Sequence, residues 1–264
     1  MYIAEGIEAN RRLWEAWTKG HQRSEFYDVE TFAAGKSSLA EIEIAGVGDV
    51  EGKSLLHLQC HFGLDTLDWA RRGATVTGVD FSQSAIDLAQ ALSQRLNLPA
   101  RFICSEIGRI APLEDEQFDV VFTSYGVLSW LPDLTVWAAT IARHLKPGGF
   151  FYMAEFHPVL GMLDDDGEEI AYSYFGEPEP IVTEETTSYG GAQHEPLACY
   201  QWGHSLSDVF ESLTAAGLTI ESLHEFPFSP HQCYGFLVEY APGRYVAQRY
   251  PGKLPLIFSI KARR

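Results

Sequence analysis

Ser54-Leu55-Leu56-His57-Leu58-Gln59-Cys60-His61-Phe62-Gly63 is a short apolar run that stops at a turn signal. An apolar run of this length, bounded by turn residues, reads as a strand buried on both faces. The next forty residues fix its context. Gly63 to Arg72 has helical spacing and is closed by Gly73, a residue suited to the left-handed position after a helix. Ala74 to Val79 reads as a second strand and ends at Asp80. Ser82 caps a helix that runs through Ile86 and Ala89 to about Leu96.

The alternation continues. Residues 101–104 and 118–124 read as two further strands. Asp133 caps a helix whose apolar face is Leu134, Trp137, Ala138, Ile141 and Leu145, and Lys146-Pro147-Gly148-Gly149 stops it. Residues 150–156 form a fifth strand. Near the end, Ser205 and Asp208 begin a helix that Gly217 ends, and residues 218–226 and 254–262 read as strands. The pattern predicts an α/β fold: a doubly wound, mostly parallel seven-stranded sheet with helices on both faces. Residues 1–52 read as an N-terminal helix (3–19, with Trp14 and Trp17 on its apolar face) and a cap rich in loop. Residues 53–264 read as the main domain, interrupted by long acidic or aromatic insertions at 158–202 and 228–253 that are expected to act as lids.

Composition narrows the function classes. The chain has 264 residues, ample for a large core, with 46% hydrophobic and 21% charged residues. Its formal net charge of −17 disfavours nucleic acid and anionic lipid as partners. No apolar run is long enough to span a membrane. Four scattered cysteines, Cys60, Cys104, Cys199 and Cys233, argue against a disulfide framework and fit reduced thiols in the cytoplasm. The opening residues lack the apolar segment of a signal peptide. Oligomeric state is not legible.

In an open parallel sheet, ligands bind at the carboxyl ends of the strands. Asp80 is placed to accept hydrogen bonds from ribose hydroxyls, and Phe81 to lie on a purine face. Glu106 and Ile107 are placed to meet the other side of that ring. Each has a plainer reading: Asp80 as an acid at a helix N-terminus, Phe81 as core, Glu106 as one more surface acid. A dinucleotide fold requires GxGxxG so that backbone can approach a pyrophosphate. Here the glycine positions read Gln59, His61 and Gly63, which speaks against a nicotinamide dinucleotide and for an adenosine cofactor without a diphosphate. His57, Cys60 and His61 lack the helical spacing and flanking carboxylates of a metal site, so no metal is expected.

With these residues in view, the chain resembles the class I S-adenosylmethionine-dependent methyltransferases. The resemblance rests on LLHLQCHFG, VTGVDFS, EQFDVVFTSYGVLSWLPD and HLKPGGFFYMAEF, in that order, across residues 53–156. It departs from the family at His57, where an acid is usual, and at Gln59 and His61, where glycines are usual. The resemblance implies S-adenosyl-L-methionine as cofactor, methyl transfer to a small-molecule acceptor, and cofactor contacts from Gln59, His61, Gly63, Asp80, Phe81, Ser82, Glu106, Ile107, Ser124 and Tyr125. It places Tyr125 and Trp130 beside the acceptor, as an aromatic wall, although Trp130 also reads as packing under the next helix. His157 is the expected base and Tyr125 the second choice, with a loop histidine bonded to backbone as the plainer reading of His157. Tyr27, Glu155 and Trp202 complete the expected acceptor contacts, and Tyr200 and His204 flank the lids. An inactive binding module and an NAD-dependent oxidoreductase are the rival readings.

Overall fold

The computed structural model describes residues 2–108, 110–191 and 193–264. Strands β1 (Ser54–Leu58), β2 (Thr75–Asp80), β3 (Ala100–Cys104), β4 (Phe118–Ser124) and β5 (Leu145–Phe156) pair in parallel. Two later strands, β8 (Thr219–Phe226) and β11 (Ile257–Arg263), extend the sheet beyond β5, to give the order β3-β2-β1-β4-β5-β11-β8. Of these two, β11 runs antiparallel to both of its neighbours, β5 and β8. The expected seven-stranded, mostly parallel sheet is therefore the observed one.

Helices cover both faces because the central strands are apolar on both. Leu56 and Leu58 of β1, with Val121, Phe151 and Phe258, pack against Trp137 and Ile141 of α6 (Leu134–His144) and against Val209 and Leu213 of α7 (Leu206–Ala215). The next residue of the alternation, Leu55, faces the other way with Val120 and Phe122. That side is closed by Trp69 of α4 (Leu64–Arg71) and by Ile42 and Val47 of α3 (Glu41–Val47). A third cluster joins Phe62, Leu64 and Leu67 to Ile86, Ala89 and Leu92 of α5 (Gln83–Leu96). The caps read from sequence are present: Ser82 Oγ accepts from the Ala85 amide at 3.2 Å, and Asp133 accepts from the Thr135 amide at 2.7 Å. Ser205 and Asp208 form the reciprocal box at the start of α7.

The cap and insertions differ from expectation. Residues 20–52, read as loop, carry α2 (Val29–Ala33) and α3. Both are too short to show a clear period, and Glu-Ile-Glu-Ile in α3 alternates like a strand. The 158–202 insertion contains an antiparallel hairpin, β6 (Ile181–Thr187) and β7 (Gln193–Gln201). Glu184-Glu185 and Pro196 obscured its alternation, because one face of the ribbon is in water. The other face lies on α1 (Tyr2–His21), with Cys199 and Leu197 against Leu13, Trp14 and Trp17. Asn10 of α1 fixes the register: its side chain donates to the Tyr200 carbonyl at 2.7 Å and accepts from the Tyr200 amide at 2.9 Å. The 228–253 insertion holds a second hairpin, β9 (Leu237–Ala241) and β10 (Arg244–Ala247).

The chain exits β4 through a turn organised by Glu155, a residue expected to touch the acceptor. Glu155 is buried on β5, and its carboxylate accepts from the amides of Gly126, Val127 (2.7 Å), Leu128 (3.2 Å) and Phe156 (2.6 Å). Its oxygens are consumed by backbone, so it shapes the site instead of meeting a ligand. Trp202 is corrected in the same way. It is buried, its ring lies where a side chain on Gly6 of α1 would have to go (2.9 Å), and its amide donates to the Ser129 carbonyl at 2.9 Å. Glu155→Ala is expected to destabilise the fold through amides left without acceptors, at about 1–3 kcal/mol for each that water cannot reach. Urea unfolding checks this as a lowered midpoint at unchanged slope.

Candidate active site

Every second residue of the turn after β1 lies in the left-handed region: Gln59 at φ 56°, His61 at φ 49° and Gly63 at φ 80°. Gly63 has no alternative, since a Cβ there would sit 2.6 Å from the Phe102 ring. Gln59 and His61 hold glycine-like backbone while carrying side chains, at a cost of about 1–3 kcal/mol each. Such strain persists only where the surroundings fix it. Here they do. The Cys60 amide donates to the Val79 carbonyl at 3.0 Å, and the Gly63 amide to the Cys60 carbonyl at 2.9 Å.

Asp80 is the main anchor of the turn. It is 8% exposed, accepting from the His61 amide at 2.8 Å and from the Ser82 amide at 2.9 Å. Burial raises its pKa to about 6, against the pull of those amides. Ser82, expected at the cofactor, spends its hydroxyl on the α5 cap. Beyond Asp80 opens a cleft of about 450 Å³ lined by Phe81, Gln83, Cys104, Ser105 and Glu106, with Arg11 and Glu15 from α1. Phe81 and Glu106 thus share one cleft, as expected. Ile107 does not join them: it packs on the core, and its carbonyl accepts from Thr140 of α6 at 3.0 Å. Helix α1 closes over the cleft. Arg11 pairs with Glu106, and the Glu15 carboxylate accepts from the Ser84 amide at 3.2 Å.

On the other side of the turn, Gln59 donates to the Val127 carbonyl at 3.0 Å, while its own side-chain oxygen is buried without a partner among the described residues. Ser124, at the end of β4, donates to Asp65 at 3.1 Å. Burial raises the pKa of Asp65 to about 6. Tyr125 donates to Glu43 of α3 at 2.6 Å. Burial lifts Glu43 to about 7 and holds the Tyr125 hydroxyl well above its usual range. Tyr125 is therefore a hydrogen-bond donor, not a base.

His157 also departs from its expected role. Its Nδ1 accepts from the Val159 amide at 3.2 Å, so Nε2 carries the hydrogen and meets Glu225 of β8 at 2.9 Å. Both nitrogens are engaged and the side chain is only 3% exposed. His57, at the position where the resembled family has an acid, points under α4 and meets Thr66 Oγ1 at 2.8 Å.

Rings from distant segments converge above His61. Trp130 lies edge-on to Trp14 (5.3 Å between centroids) and Trp17 (5.9 Å) of α1. Tyr27 lies beside His61 (5.4 Å) and Phe62 (4.7 Å), and its hydroxyl meets that of Tyr189, in the turn between β6 and β7. Trp130 thus forms an aromatic wall with α1 and does not pack under α6. Sequence reasoning missed Trp14, Trp17, His21 and Tyr189 as site residues. The only signal was the spacing of Trp14, Trp17 and His21, which puts them along one helix face.

Residues 56–153 match the family model described as a methyltransferase domain. A ubiquinone biosynthesis O-methyltransferase from Alkalilimnicola ehrlichii is 32% identical over 130 residues, 49% of each chain. The chain thus spans about half the length of the curated relatives it matches. An S-adenosylmethionine-dependent methyltransferase from Mesorhizobium loti superposes at a TM-score of 0.59 with 18% identity, covering 88% of this chain and all of that one. A second such protein, from Methanosarcina mazei, superposes at 0.56 with 18% identity over 86% of this chain and 98% of its own. These two likenesses are of fold. Residues 56–153 are thus similar to a methyltransferase domain, and the sheet that carries them has the fold of S-adenosylmethionine-dependent methyltransferases of known structure.

Proposed function

We propose that this chain transfers a methyl group from S-adenosyl-L-methionine to a small-molecule acceptor. One observation carries the reading: the left-handed backbone at Gln59, His61 and Gly63, tied to Asp80 at the mouth of the sheet. The residues present suit the cofactor. Asp80 retains lone pairs for ribose hydroxyls, and the cleft beside Phe81 and Glu106 has the size and mixed lining that a purine requires. The buried, unpartnered oxygen of Gln59 and the carboxyl of Asp65 beside Ser124 are acceptors for the ammonium end. The side chains of Gln59 and His61 occupy the room that a diphosphate would need.

When bound, the cofactor supplies an electrophilic methyl group on a sulfonium. The protein's share of the work is alignment and exclusion of water, which in favourable cases lowers a barrier by about 7–11 kcal/mol. Helix α1 closes the adenosine end, and the wall of Trp14, Trp17 and Trp130 excludes water on the acceptor side. Ring faces attract a cation by about 0.5–2 kcal/mol. O-methylation, named for several of the relatives, is the reaction this site serves best, and it requires a group that takes the hydroxyl proton.

Calorimetry tests the cofactor. S-adenosylhomocysteine is expected to bind and NAD to give no heat; the reverse result excludes the reading. Asp80→Asn is expected to weaken S-adenosylhomocysteine by about tenfold or more, since each lost charge-assisted hydrogen bond is worth about 1.5–3 kcal/mol.

Affinity is also expected to depend on pH. Ribose hydroxyls donate to the carboxylate form of Asp80, and burial raises that group to about 6. Affinity is therefore full above that value and falls as acidification protonates Asp80. The raised Asp65 acts in the same direction at the ammonium. Titrations between pH 8 and pH 5 check the sign, with a fall of up to about tenfold per pH unit for each proton taken up.

A further inference from the structure

With His157 and Tyr125 committed elsewhere, the proton of a hydroxyl acceptor needs another destination. His61 stands where the resembled family carries glycine, and it keeps the left-handed backbone that glycine would adopt freely. A side chain held in such a strained place is a mark of function. Its ring reaches across to α1, where Nε2 lies 3.0 Å from Nδ1 of His21. The two outer nitrogens, His61 Nδ1 and His21 Nε2, are both buried and have no hydrogen-bond partner among the described residues.

The hydrogens of this pair can be counted. Two neutral imidazoles carry one N–H each. One hydrogen fills the bridge, and the other sits on the outer nitrogen of the ring that accepts in that bridge. The outer nitrogen of the donating ring is bare. A bare, buried nitrogen is a base in want of a proton, and a shift of the bridging hydrogen passes charge from one ring to the other. Burial keeps both rings neutral, lowering His21 to about 4 and His61 well below its usual value, so the pair is not already protonated near neutral pH. The titratable groups around it are the paired hydroxyls of Tyr27 and Tyr189, and Asp80, which takes the His61 amide.

The surroundings are flat and apolar. Trp14 lies 5.1 Å from His61, Phe62 4.4 Å from His61, and Tyr189 4.5 Å from His21. Tyr189 is 46% exposed at the tip of the β6–β7 hairpin, so this wall of the group has an open side.

We propose that His21 and His61 form the proton-accepting pair of the transfer, and that the acceptor presents a hydroxyl on an aromatic ring seated against Trp14, Trp130 and Tyr189. This inference rests on the methyl-transfer reading. The acceptor oxygen forms the new C–O bond with the methyl carbon as the C–S bond breaks, and that bond's electron pair stays on sulfur. The hydroxyl proton goes to the bare ring nitrogen, giving one imidazolium that returns its proton to water when product leaves. A weak base suffices, because an oxygen that gains a methyl while it still holds its hydrogen becomes positively charged and strongly acidic. A neutral amine attacks through its own lone pair and needs no proton acceptor at that moment, so the pair serves hydroxyl acceptors alone.

The test uses the full chain, S-adenosylhomocysteine, radiolabelled S-adenosylmethionine and four probes: catechol, 2-naphthol, 3,4-dihydroxybenzoate and aniline. At least one hydroxyarene is expected to accept methyl, while any methylation of aniline, which needs no base, is expected to be unchanged in the variants below. In protein labelled with ¹⁵N-histidine and saturated with S-adenosylhomocysteine, the hydroxyarene that accepts methyl is expected to shift a ring nitrogen of His21 or His61. His21→Asn and His61→Asn are each expected to lower kcat by about 100-fold or more while S-adenosylhomocysteine affinity stays within about threefold. Asparagine tolerates the left-handed backbone at position 61. Failure of S-adenosylhomocysteine to bind the wild type would sink the methyl-transfer reading beneath. Normal binding with no hydroxyarene methylated, with no ¹⁵N shift, or with wild-type kcat toward the hydroxyarene in both variants would overturn the pair alone. The ¹⁵N measurement needs no variant, so it decides the matter even where a substitution prevents folding.

Discussion

The carboxylate of Asp80 is the constraint on which the rest of the site depends. It ends β2, accepts the amide of His61 from the β1 turn and that of Ser82 from the α5 cap, and so locks two loops to one strand end. Its bond to the His61 amide acts with the Cys60–Val79 and Gly63–Cys60 backbone bonds to hold His61 in the left-handed region against the strain. The same carboxylate, next to cleft-lining Phe81 in the chain, is the one proposed to meet the ribose. Folding and ligand recognition therefore draw on one buried charge, and burial raises its pKa to about 6.

A second constraint is the seating of α1. The helix crosses the carboxyl ends of the sheet and touches both halves of the site. Arg11 and Glu15 reach the cleft beside Phe81, and Trp14, Trp17 and His21 reach the turn after β1. The β6–β7 hairpin lies on its outer side, fixed by the paired bonds between Asn10 and Tyr200. Helix α1 thus touches both proposed ligand ends, whereas the hairpin touches only the acceptor side. The exposed Arg11–Glu106 pair contributes little to the seating of α1, about 0–1 kcal/mol. The aromatic contacts and the Asn10–Tyr200 bonds carry more of it.

Buried charge is distributed unevenly. Glu43, Asp65 and Asp80 are carboxyls raised by desolvation, and no basic side chain is among the causes of their shifts. His21, His57, His61 and His231 are imidazoles kept neutral by the same burial. A ligand carrying positive charge would relieve the acids, and a ligand carrying a proton to give away would find the bases.

Much of this was legible in the residues. Short apolar runs, Ser82, Asp133 and Ser205 as caps, and glycines after helices are local signals, and each found its element. That Phe81 and Glu106 share one cleft was legible because strand ends in a parallel sheet lie side by side. Glu155, Trp202, Ile107 and Ser82 were misjudged as ligand contacts, because a sequence does not show which backbone amides or neighbouring rings will consume a side chain. His157 was misjudged for the same reason: its partners, Glu225 and the Val159 amide, come from the far strand and the adjoining turn. The sequence by itself determined the order of the sheet strands and of the helices between them, and the turn on which the resemblance rests, since hydrophobic period and capping are properties of neighbours in the chain. Only the tertiary structure decided which rings meet on the proposed acceptor side, since His21 and His61 stand 40 residues apart and no local pattern records that packing brings their ring nitrogens to 3.0 Å.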